Sequence, residues 1–460
     1  MRRRKADLSR RVNRELRVEF SESGLTSYAG LELLIRYLQR IDLNRVIRHH
    51  LAGLAGDFGV TAMIRVVLAL LFVGGRRLQH VGYLVGDPLV HRFCGLTGLP
   101  SRITLSRWLQ QFSGPWIARL AALNAAVVAR TVHLSEWLRT LTVDIDGTVL
   151  STGHTVKRAF RGFNPHHRKV PSYYPITAHL AETGHILRVK NRSGNINDGK
   201  ASITFLRELF AQIRVTLGPT FRLRLRMDGD FFKETVLRLL LARGVGFAIK
   251  VPFWRWLDLQ HRIRERRTWQ RMTGDVDGFE VELPLLPWRL ALRVAIYRKR
   301  VHHPTAKNYQ LDLFDPNDGY YEYSAVATNL ALSARQLWHF MCGRGAHEKV
   351  IGELKSGLAF ATIPTRHFGA NSAWQQLVAL AHNLLTNFQI ETGAPRRRRS
   401  AKRTALHVLK SIHTLRFELL HRAGRILRPD GITVLRLMRN EPAKHLFQRM
   451  AGHLERIRVA

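Results

Sequence analysis

The chain has 460 residues, 45% of them hydrophobic, which is enough for packed cores in two or three domains. Its 73 lysines and arginines outnumber the 34 aspartates and glutamates, and the formal charge of +39 indicates a polyanionic partner, most simply nucleic acid. A membrane protein, a secreted protein and a disulfide scaffold are disfavoured: there is no apolar run of about eighteen residues, no apolar stretch after the basic N-terminus, and only two cysteines occur. We therefore expect a cytoplasmic location.

Residues 1–135 are predicted to form a helical, basic region that binds DNA. From Leu31 onward, apolar residues recur at spacings of three and four, as in amphipathic helices. Thr104 is placed as a helix N-cap, and the short helix that follows carries Arg107, as the DNA-contacting second helix of a helix-turn-helix does. An ordinary capped helix that packs Trp108 inward explains the same residues without any DNA contact.

Near residue 135 the spacing of apolar residues changes from helical to alternating. Residues 136–251 then show seven elements in the order β-β-β-α-β-α-β. Two of the strand-like segments, L-T-V-D-I-D-G and F-R-L-R-L-R-M-D, contain Asp146 and Asp228 at their ends. This is the element order of the ribonuclease H fold, in which the first strand is central and the fourth pairs beside it. We therefore expect the two aspartates to be neighbours.

The remaining segments complete an α/β fold with a ribonuclease H-like catalytic core, a β-rich insertion, and helical N-terminal and C-terminal regions. Residues 252–325 contain strand-like pieces separated by proline and glycine and are predicted to be the insertion. Residues 326–392 are predicted to be the last part of the core, with Glu348 on one helix and Trp374 on a second, amphipathic helix. Residues 393–460 are predicted to be a basic, helical region that dimerises or contacts DNA.

Arg344, Glu348 and Lys355 are spaced so that they fall on one face of a helix. One interpretation is a solvated helix face, on which Arg344 pairs with Glu348 and Lys355 with Glu353. The other is a functional site, in which Glu348 joins the two aspartates.

These residues resemble the DDE transposases of bacterial insertion sequences, in the branch that has a β-insertion domain and the signature Y-x2-R-x3-E-x6-K. The last three signature residues match Arg344, Glu348 and Lys355. Met341 stands at the tyrosine position, which puts in doubt any role that the family gives to the tyrosine hydroxyl.

The resemblance implies a two-metal site built from three carboxylates. D-G-T, beginning at Asp146, and M-D-G-D-F, containing Asp228, resemble the aspartate motifs of the family, and Glu348 supplies the third carboxylate. Asp146 would bind both Mg²⁺ ions while the other two carboxylates hold one each, with Mn²⁺ as a substitute, since oxygen ligands favour these ions over zinc. Asp144 and Asp230 are alternatives that only the motif match sets aside.

The same resemblance implies contacts to DNA. Arg344 and Lys355 would hold phosphates beside the metal ions, and a guanidinium fork suits a phosphate well. Trp254, Trp256 and Trp288 are candidates for stacking on a flipped base at the transposon end, although tryptophan more often serves packing.

The implied function is cut-and-paste DNA transposition. The protein would bind double-stranded DNA at the terminal inverted repeats of an insertion sequence, cleave the ends with Mg²⁺ and join them to target DNA. A homodimer in a synaptic complex, associated with the bacterial nucleoid, is the expected assembly. The alternatives are a ribonuclease H-fold nuclease or recombinase without strand transfer, and a non-catalytic DNA-binding protein derived from a transposase.

Overall fold

The computed structural model describes residues 18–19, 21–133, 138–162, 169–196, 199, 201–301, 320–397 and 403–457. Its α-helices are α1 (Leu31–Arg40), α2 (Leu43–Leu51), α3 (Val60–Phe72), α4 (Pro88–Cys94), α5 (Arg102–Gln110), α6 (Gly114–His133), α7 (Ser202–Thr216), α8 (Glu234–Ala242), α9 (Leu259–Arg264), α10 (Ala334–Cys342), α11 (Gly345–Gly357), α12 (Phe368–Glu391), α13 (Ile412–Leu415) and α14 (Glu441–Arg456). Its strands are β1 (Leu25–Thr26), β2 (Thr140–Gly147), β3 (Leu150–Ser151), β4 (Ser172–Tyr173), β5 (Ile176–Leu180), β6 (His185–Lys190), β7 (Arg222–Met227), β8 (Gly246–Val251), β9 (Gln270–Thr273), β10 (Val276–Leu285), β11 (Leu290–Val301), β12 (Tyr320–Thr328), β13 (Gly424–Leu427) and β14 (Val434–Leu437).

One large mixed sheet organises the fold, in the strand order β6-β5-β2-β7-β8-β12-β11-β10-β9. Strands β2, β7 and β8 are parallel to one another, and the other neighbours in this sheet are antiparallel. β2 pairs with β5 on one side and with β7 on the other, which confirms the predicted pairing of the first strand with the fourth. The protein is therefore a mixed α/β protein.

The side chains of β2 explain why it lies inside the sheet. Leu141, Val143 and Ile145 are fully buried in a core that β2 shares with α6, α7 and α8. Thr142 and Asp144, which point to the opposite face, are buried as well. Both faces of the strand are covered, as is usual for parallel strands flanked by helices.

The β-rich segment continues the same sheet. β12 pairs antiparallel with β8, where Ala325 lies opposite Val251, and β11, β10 and β9 follow outward. Strands β9, β10 and β11 lie within residues 252–325, and the first part of that segment also forms α9. β-pairing thus joins this segment directly to the core strands, while the domain boundaries themselves stay predictions.

Helix α12 is buried on every side, which corrects the prediction of an amphipathic helix. All of its residues from Ala370 to Gln389 are buried, polar ones included. Asn383 accepts the Ile186 main-chain N–H at 2.8 Å, and the Gln376 amide donates to the Val189 oxygen at 2.6 Å, so both side chains bind β6. The prediction was wrong because α12 packs against the sheet on one side and the N-terminal helices on the other.

The C-terminal region is not uniformly helical, which corrects a second prediction. α13 continues into a π-helical turn at Arg416–Leu420, and β13 and β14 form a hairpin before α14. β13 also pairs with β1, with Arg425 opposite Leu25. Because this small sheet joins residues from both ends of the chain, the local spacing of apolar residues did not reveal it.

Helix α5 begins earlier than predicted. Ser101, rather than Thr104, is the N-cap, and its hydroxyl accepts the Thr104 main-chain N–H at 3.2 Å. Trp108 is buried with its ring edge-on to Phe112, at a centroid distance of 5.1 Å, so the predicted inward packing is confirmed. Within the described residues no single helix has the length and apolar content to cross a membrane. Helices α5 and α6 have that length and apolar content only when taken together, and they are bent by 102° relative to each other.

Candidate active site

Three carboxylates from three separate elements meet at one guanidinium group. Asp146 lies near the end of β2, Asp228 directly follows β7, and Glu348 is in the first turn of α11. Arg344 Nη2 is 2.6 Å from Asp146 Oδ2 and 3.8 Å from Asp228 Oδ2, and its Nη1 is 3.5 Å from Glu348 Oε1. The structure therefore brings the three predicted carboxylates and the predicted arginine together at the carboxyl ends of two parallel strands.

The main chain orients both aspartates toward this guanidinium. The Gly147 N–H donates to Asp146 Oδ1 at 3.0 Å, and the Asp230 N–H donates to Asp228 Oδ1 at 3.1 Å. The second of these bonds makes Asp228 the cap of a short 3-10 turn that follows β7. In each carboxylate one oxygen is held by the backbone, and the other faces Arg344.

A break between two helices places Arg344. Gly343 and Arg344 lie between α10 and α11, and a side chain at Gly343 would collide with the guanidinium of Arg226. Arg344 thus precedes the helix that carries Glu348, and it is 8% exposed. Glu348 and Lys355 both lie on α11, and Arg344, the N-cap of that helix, contacts Glu348 one turn along, as the predicted spacing requires.

The structure distinguishes Asp144 from Asp146. Asp144 is fully buried and pairs with Arg226, at 2.5 Å from Nε to Oδ1 and 2.8 Å from Nη2 to Oδ2, while His179 Nδ1 lies 3.3 Å from Oδ2. Burial raises the pKa of Asp144, but His179 and Arg226 outweigh it, so the pKa lies below its ordinary value. Asp144 has a structural partner in Arg226, and Asp230, the other alternative, is exposed.

A buried chain of polar groups connects α11 to β2. His347, next to Glu348, places its Nε2 at 3.0 Å from the Thr177 hydroxyl, and that hydroxyl donates to the Asp146 main-chain oxygen at 3.3 Å. Burial lowers the pKa of His347 to about 3, so the imidazole is neutral. Together with Arg226, His347 and Thr177 position the carboxylates. Sequence reasoning missed these residues; the alternating arginines of β7, which include Arg226, were the only sequence feature that could have indicated one of them.

Lys355 contacts the main chain beyond Asp146. Its Nζ donates to the Val149 oxygen at 3.2 Å, and burial lowers its pKa. Glu353, the alternative partner, instead accepts the main-chain N–H of Ile412. Met341, at the position of the family tyrosine, is buried in an apolar cluster and presents no hydroxyl.

The three candidate tryptophans form one cluster, which packs against the segment that contains Asp228. Trp254 and Trp256 are stacked, with centroids 5.8 Å apart and an interplanar angle of 27°, and Trp288 lies 5.1 Å from Trp256. Phe232, on the same short segment as Asp228, contacts Trp288 at 5.4 Å. Trp256 is 41% exposed, so it offers the most accessible ring.

Arg107, the predicted DNA-contacting residue of the N-terminal region, is exposed on α5.

Residues 8–459 match the family model described as Transposase DDE domain group 1. The chain belongs to this family of DDE transposases. No curated protein matches the sequence. A solved structure, the cryo-EM structure of the piggyBac transposase synaptic complex with hairpin DNA, aligns with 95% of this chain and 84% of that chain, at 9% identity and a TM-score of 0.40. The family assignment confirms the resemblance to DDE transposases, whereas the branch within the family stays a prediction.

DDE transposases use divalent metal ions, and the donor chemistry of this site suits them. Three carboxylates already converge on one cation, the Arg344 guanidinium, and carboxylate oxygens are the preferred ligands of Mg²⁺ and Mn²⁺. Among the described residues, however, no three His, Cys, Asp or Glu side chains are spaced to hold an ion as placed. The site of this DDE transposase therefore fits a metal by the chemistry of its ligands rather than by their spacing.

Proposed function

We propose that this DDE transposase binds the terminal inverted repeats of an insertion sequence, cleaves the DNA at those ends and joins them to target DNA. The observation that carries the proposal is the meeting of Asp146, Asp228 and Glu348 at one guanidinium. Three separate elements supply these carboxylates, and the fold gathers them in a partly exposed place where DNA has access. We also assign the five core strands to a ribonuclease H-like fold.

In this proposal Asp146, Asp228 and Glu348 would hold the Mg²⁺ ions. Bound there, such ions would make the attacking water or 3′-hydroxyl more nucleophilic and would stabilise the leaving oxygen of the phosphodiester. The residues of the chain keep the carboxylates in place: backbone N–H groups hold one oxygen of each aspartate, and Thr177 holds the strand that carries Asp146.

Arg344 and Lys355 are assigned to the DNA backbone next to the cleaved bond. Arg344 carries its charge among the three carboxylates, and a guanidinium fork binds phosphate in two places at once. Lys355 lies beside the main chain that follows Asp146 and is half-buried, which strengthens a contact to an anion.

The tryptophan cluster is assigned to the DNA end. Trp256 is the most exposed of the three rings and stacks on Trp254, so an unpaired base would extend an existing stack. Lys233, whose Nζ lies 5.0 Å from the centre of the Trp254 ring, adds positive charge beside it. The overall charge of +39 supports binding to DNA, and we propose that a homodimer on the bacterial nucleoid binds the element ends and the target.

The test uses a plasmid that carries the DNA flanking both ends of the coding region in its natural context. Asp146→Ala, Asp228→Ala and Glu348→Ala should each reduce Mg²⁺-dependent cleavage by about three orders of magnitude, because metal catalysis supplies several kcal/mol. Asp230→Ala is the matched control: it removes an exposed carboxylate on the turn that Asp228 caps, and it should cleave normally.

A strand-transfer assay on the same DNA decides the reaction class. Joined products are expected from the wild type. Cleavage without joining would identify a nuclease or recombinase, and DNA binding without cleavage would identify a non-catalytic descendant of a transposase. Loss of cleavage in Asp230→Ala together with normal cleavage in Asp228→Ala would contradict the site assignment.

A further inference from the structure

A cleft of about 920 Å³ lies beside α5. Its described lining includes three arginines, Arg77, Arg102 and Arg107, and no carboxylate. A concave surface with one sign of charge concentrates the opposite charge, so the cleft attracts a polyanion. Phosphates alone, however, would require only the arginines.

The side of α5 that faces the cleft carries more than positive charge. Ile103, Ser106 and Gln110 lie among the arginines on this side, and all line the cleft. In the major groove of DNA, arginine pairs with guanine, glutamine pairs with adenine, and an apolar side chain contacts the thymine methyl group. Ile103 is 53% exposed despite being apolar, and Gln110 is held by a 3.2 Å hydrogen bond to the Ser106 hydroxyl.

The opposite side of α5 holds the helix rigidly. Leu105, Trp108 and Leu109 are buried in the N-terminal core, and the Ser101 side chain caps the first turn. A base-reading surface needs such support, because contacts to base edges depend on side chains placed within a fraction of an ångström.

Two segments that line the cleft follow the catalytic elements along the chain. The chain that leaves β2 after Asp146 reaches Ser151 in the cleft lining, and the chain that follows α11 reaches the lining at residues 361–364. The bond from Lys355 to Val149 joins α11 itself to the first of these stretches. From Asp146 to Ser151 the chain spans at most about 17 Å. This distance corresponds to about five base pairs at 3.4 Å each.

We propose that the exposed side of α5 and this cleft read the base sequence beside the cleaved phosphodiester, on the same DNA end that the same protomer cuts. This inference rests on the proposed function and adds where the sequence is read and by which protomer. A duplex lying over the exposed side of α5 and the mouth of the cleft would place bases against Arg107 and Gln110 while its backbone continues past Lys355 toward the carboxylates.

The first experiment measures sequence reading without cleavage. Wild-type protein in Ca²⁺ would select from a pool of random 40-base-pair duplexes, and the selected duplex then serves as the probe. Arg107→Ala and Gln110→Ala should each lose about tenfold in affinity for the selected duplex relative to an unrelated duplex, as expected for a lost base contact. Arg48→Ala, an exposed arginine on α2, is the control and should keep the full discrimination.

Melting temperatures equal to that of the wild type will show that the variants are folded. A hydroxyl-radical footprint should lose protection in Arg107→Ala only within about ten base pairs of the cleaved bond, one turn of the duplex. Unchanged discrimination in both Arg107→Ala and Gln110→Ala would overturn the reading role of α5.

The second experiment tests whether one protomer reads and cuts. Asp146→Ala retains the reading surface and lacks a catalytic carboxylate, whereas Arg107→Ala retains the carboxylates and lacks a reading residue. A mixture of the two should cut the selected sequence, cloned in a plasmid, no faster than Arg107→Ala alone in Mg²⁺. Cleavage clearly faster than that of Arg107→Ala alone would show that one protomer reads for another, and it would overturn the proposal.

The two proposals fail in different ways. A wild-type protein that selects a sequence but never cuts it would contradict the proposed function. It would also contradict the part of the inference that says the reading protomer cuts the DNA. The affinity comparison would still decide the reading role of α5. A wild-type protein that cuts the selected sequence while the α5 variants discriminate normally would contradict only the inference about the cleft.

Discussion

Two groups of charged residues lie next to each other on β2 and β7, and they differ in what surrounds them. Asp144 and Arg226 pair inside the sheet, where both are fully buried. Asp146 and Asp228 lie farther along the same strands, partly exposed, and share Arg344 with Glu348. Both groups combine aspartate with arginine, and only the second opens to solvent.

The difference separates a structural ion pair from a candidate active site. In the buried pair the Arg226 guanidinium binds both oxygens of the Asp144 carboxylate, which leaves this carboxylate no capacity for a ligand. In the second group three carboxylates share the Arg344 guanidinium, so these four side chains together carry a negative charge. An excess of carboxylate with access to solvent is what binding of a divalent cation requires.

The largest expected effect on stability comes from breaking the buried pair. Asp144→Ala leaves the Arg226 charge buried without its main partner and should cost about 3–5 kcal/mol. Asp146→Ala, two residues along the same strand, should cost about 1 kcal/mol or less, because Arg344 keeps two other carboxylates. Urea denaturation of both variants measures the contrast.

A double variant provides the control for this prediction. Asp144→Val combined with Arg226→Met replaces the pair by apolar side chains of similar size and should recover most of the loss. Equal destabilisation by Asp144→Ala and Asp146→Ala would remove the distinction between the two groups.

A smaller effect, on function, is expected at Arg344 and Lys355. Arg344→Lys keeps the charge but loses the fork that contacts several carboxylates, and Lys355→Ala loses a charged donor, so each should reduce cleavage or DNA-end binding about tenfold or more. If these residues only stabilise α11, the changes should cost about 0.2–0.5 kcal/mol of stability and leave cleavage near the wild-type rate. Cleavage rate, end binding and melting temperature, measured together, distinguish the two results.

The smallest effect concerns Glu182, a carboxylate in the turn between β5 and β6 that contacts β2. Glu182 is buried and accepts the Thr142 N–H at 2.9 Å, and burial raises its pKa to about 7 from an ordinary 4.5. Between these values the folded state keeps a proton that the unfolded state releases, so this contribution to stability is lost as pH rises from 4.5 to 7. Asp144 behaves in the opposite way, because its lowered pKa confines its loss of stability to more acidic solutions.

Glu182→Gln isolates this contribution, since the amide keeps an acceptor for Thr142 and does not titrate. The melting temperature of the wild type relative to the variant should fall by about 1–2 °C between pH 5 and pH 7.5. Neutral buried histidines such as His347 lower the stability of both proteins as the pH falls, so the difference in melting temperature between the two proteins cancels their effect. A difference that is independent of pH would mean that Glu182 is ionised throughout.

The sequence alone predicted the elements of the core and the residues of the candidate site. Alternating apolar residues located β2 and β7, and the positions of Asp146 and Asp228 at the strand ends followed from that spacing, because the period of a strand is local. The match of Glu348 and Arg344 to a family signature added the third carboxylate and its partner.

Tertiary structure alone decided which aspartate of β2 is structural, since the pairing of Asp144 with Arg226 depends on the register of two distant strands. It also decided the close approach of Arg226 to Gly343, just before α11, and the burial of α12 on every side. The hairpin that pairs with β1 and the gathering of the three tryptophans likewise join residues far apart in the sequence. In each case the deciding contact is between residues whose separation along the chain carries no periodic signal.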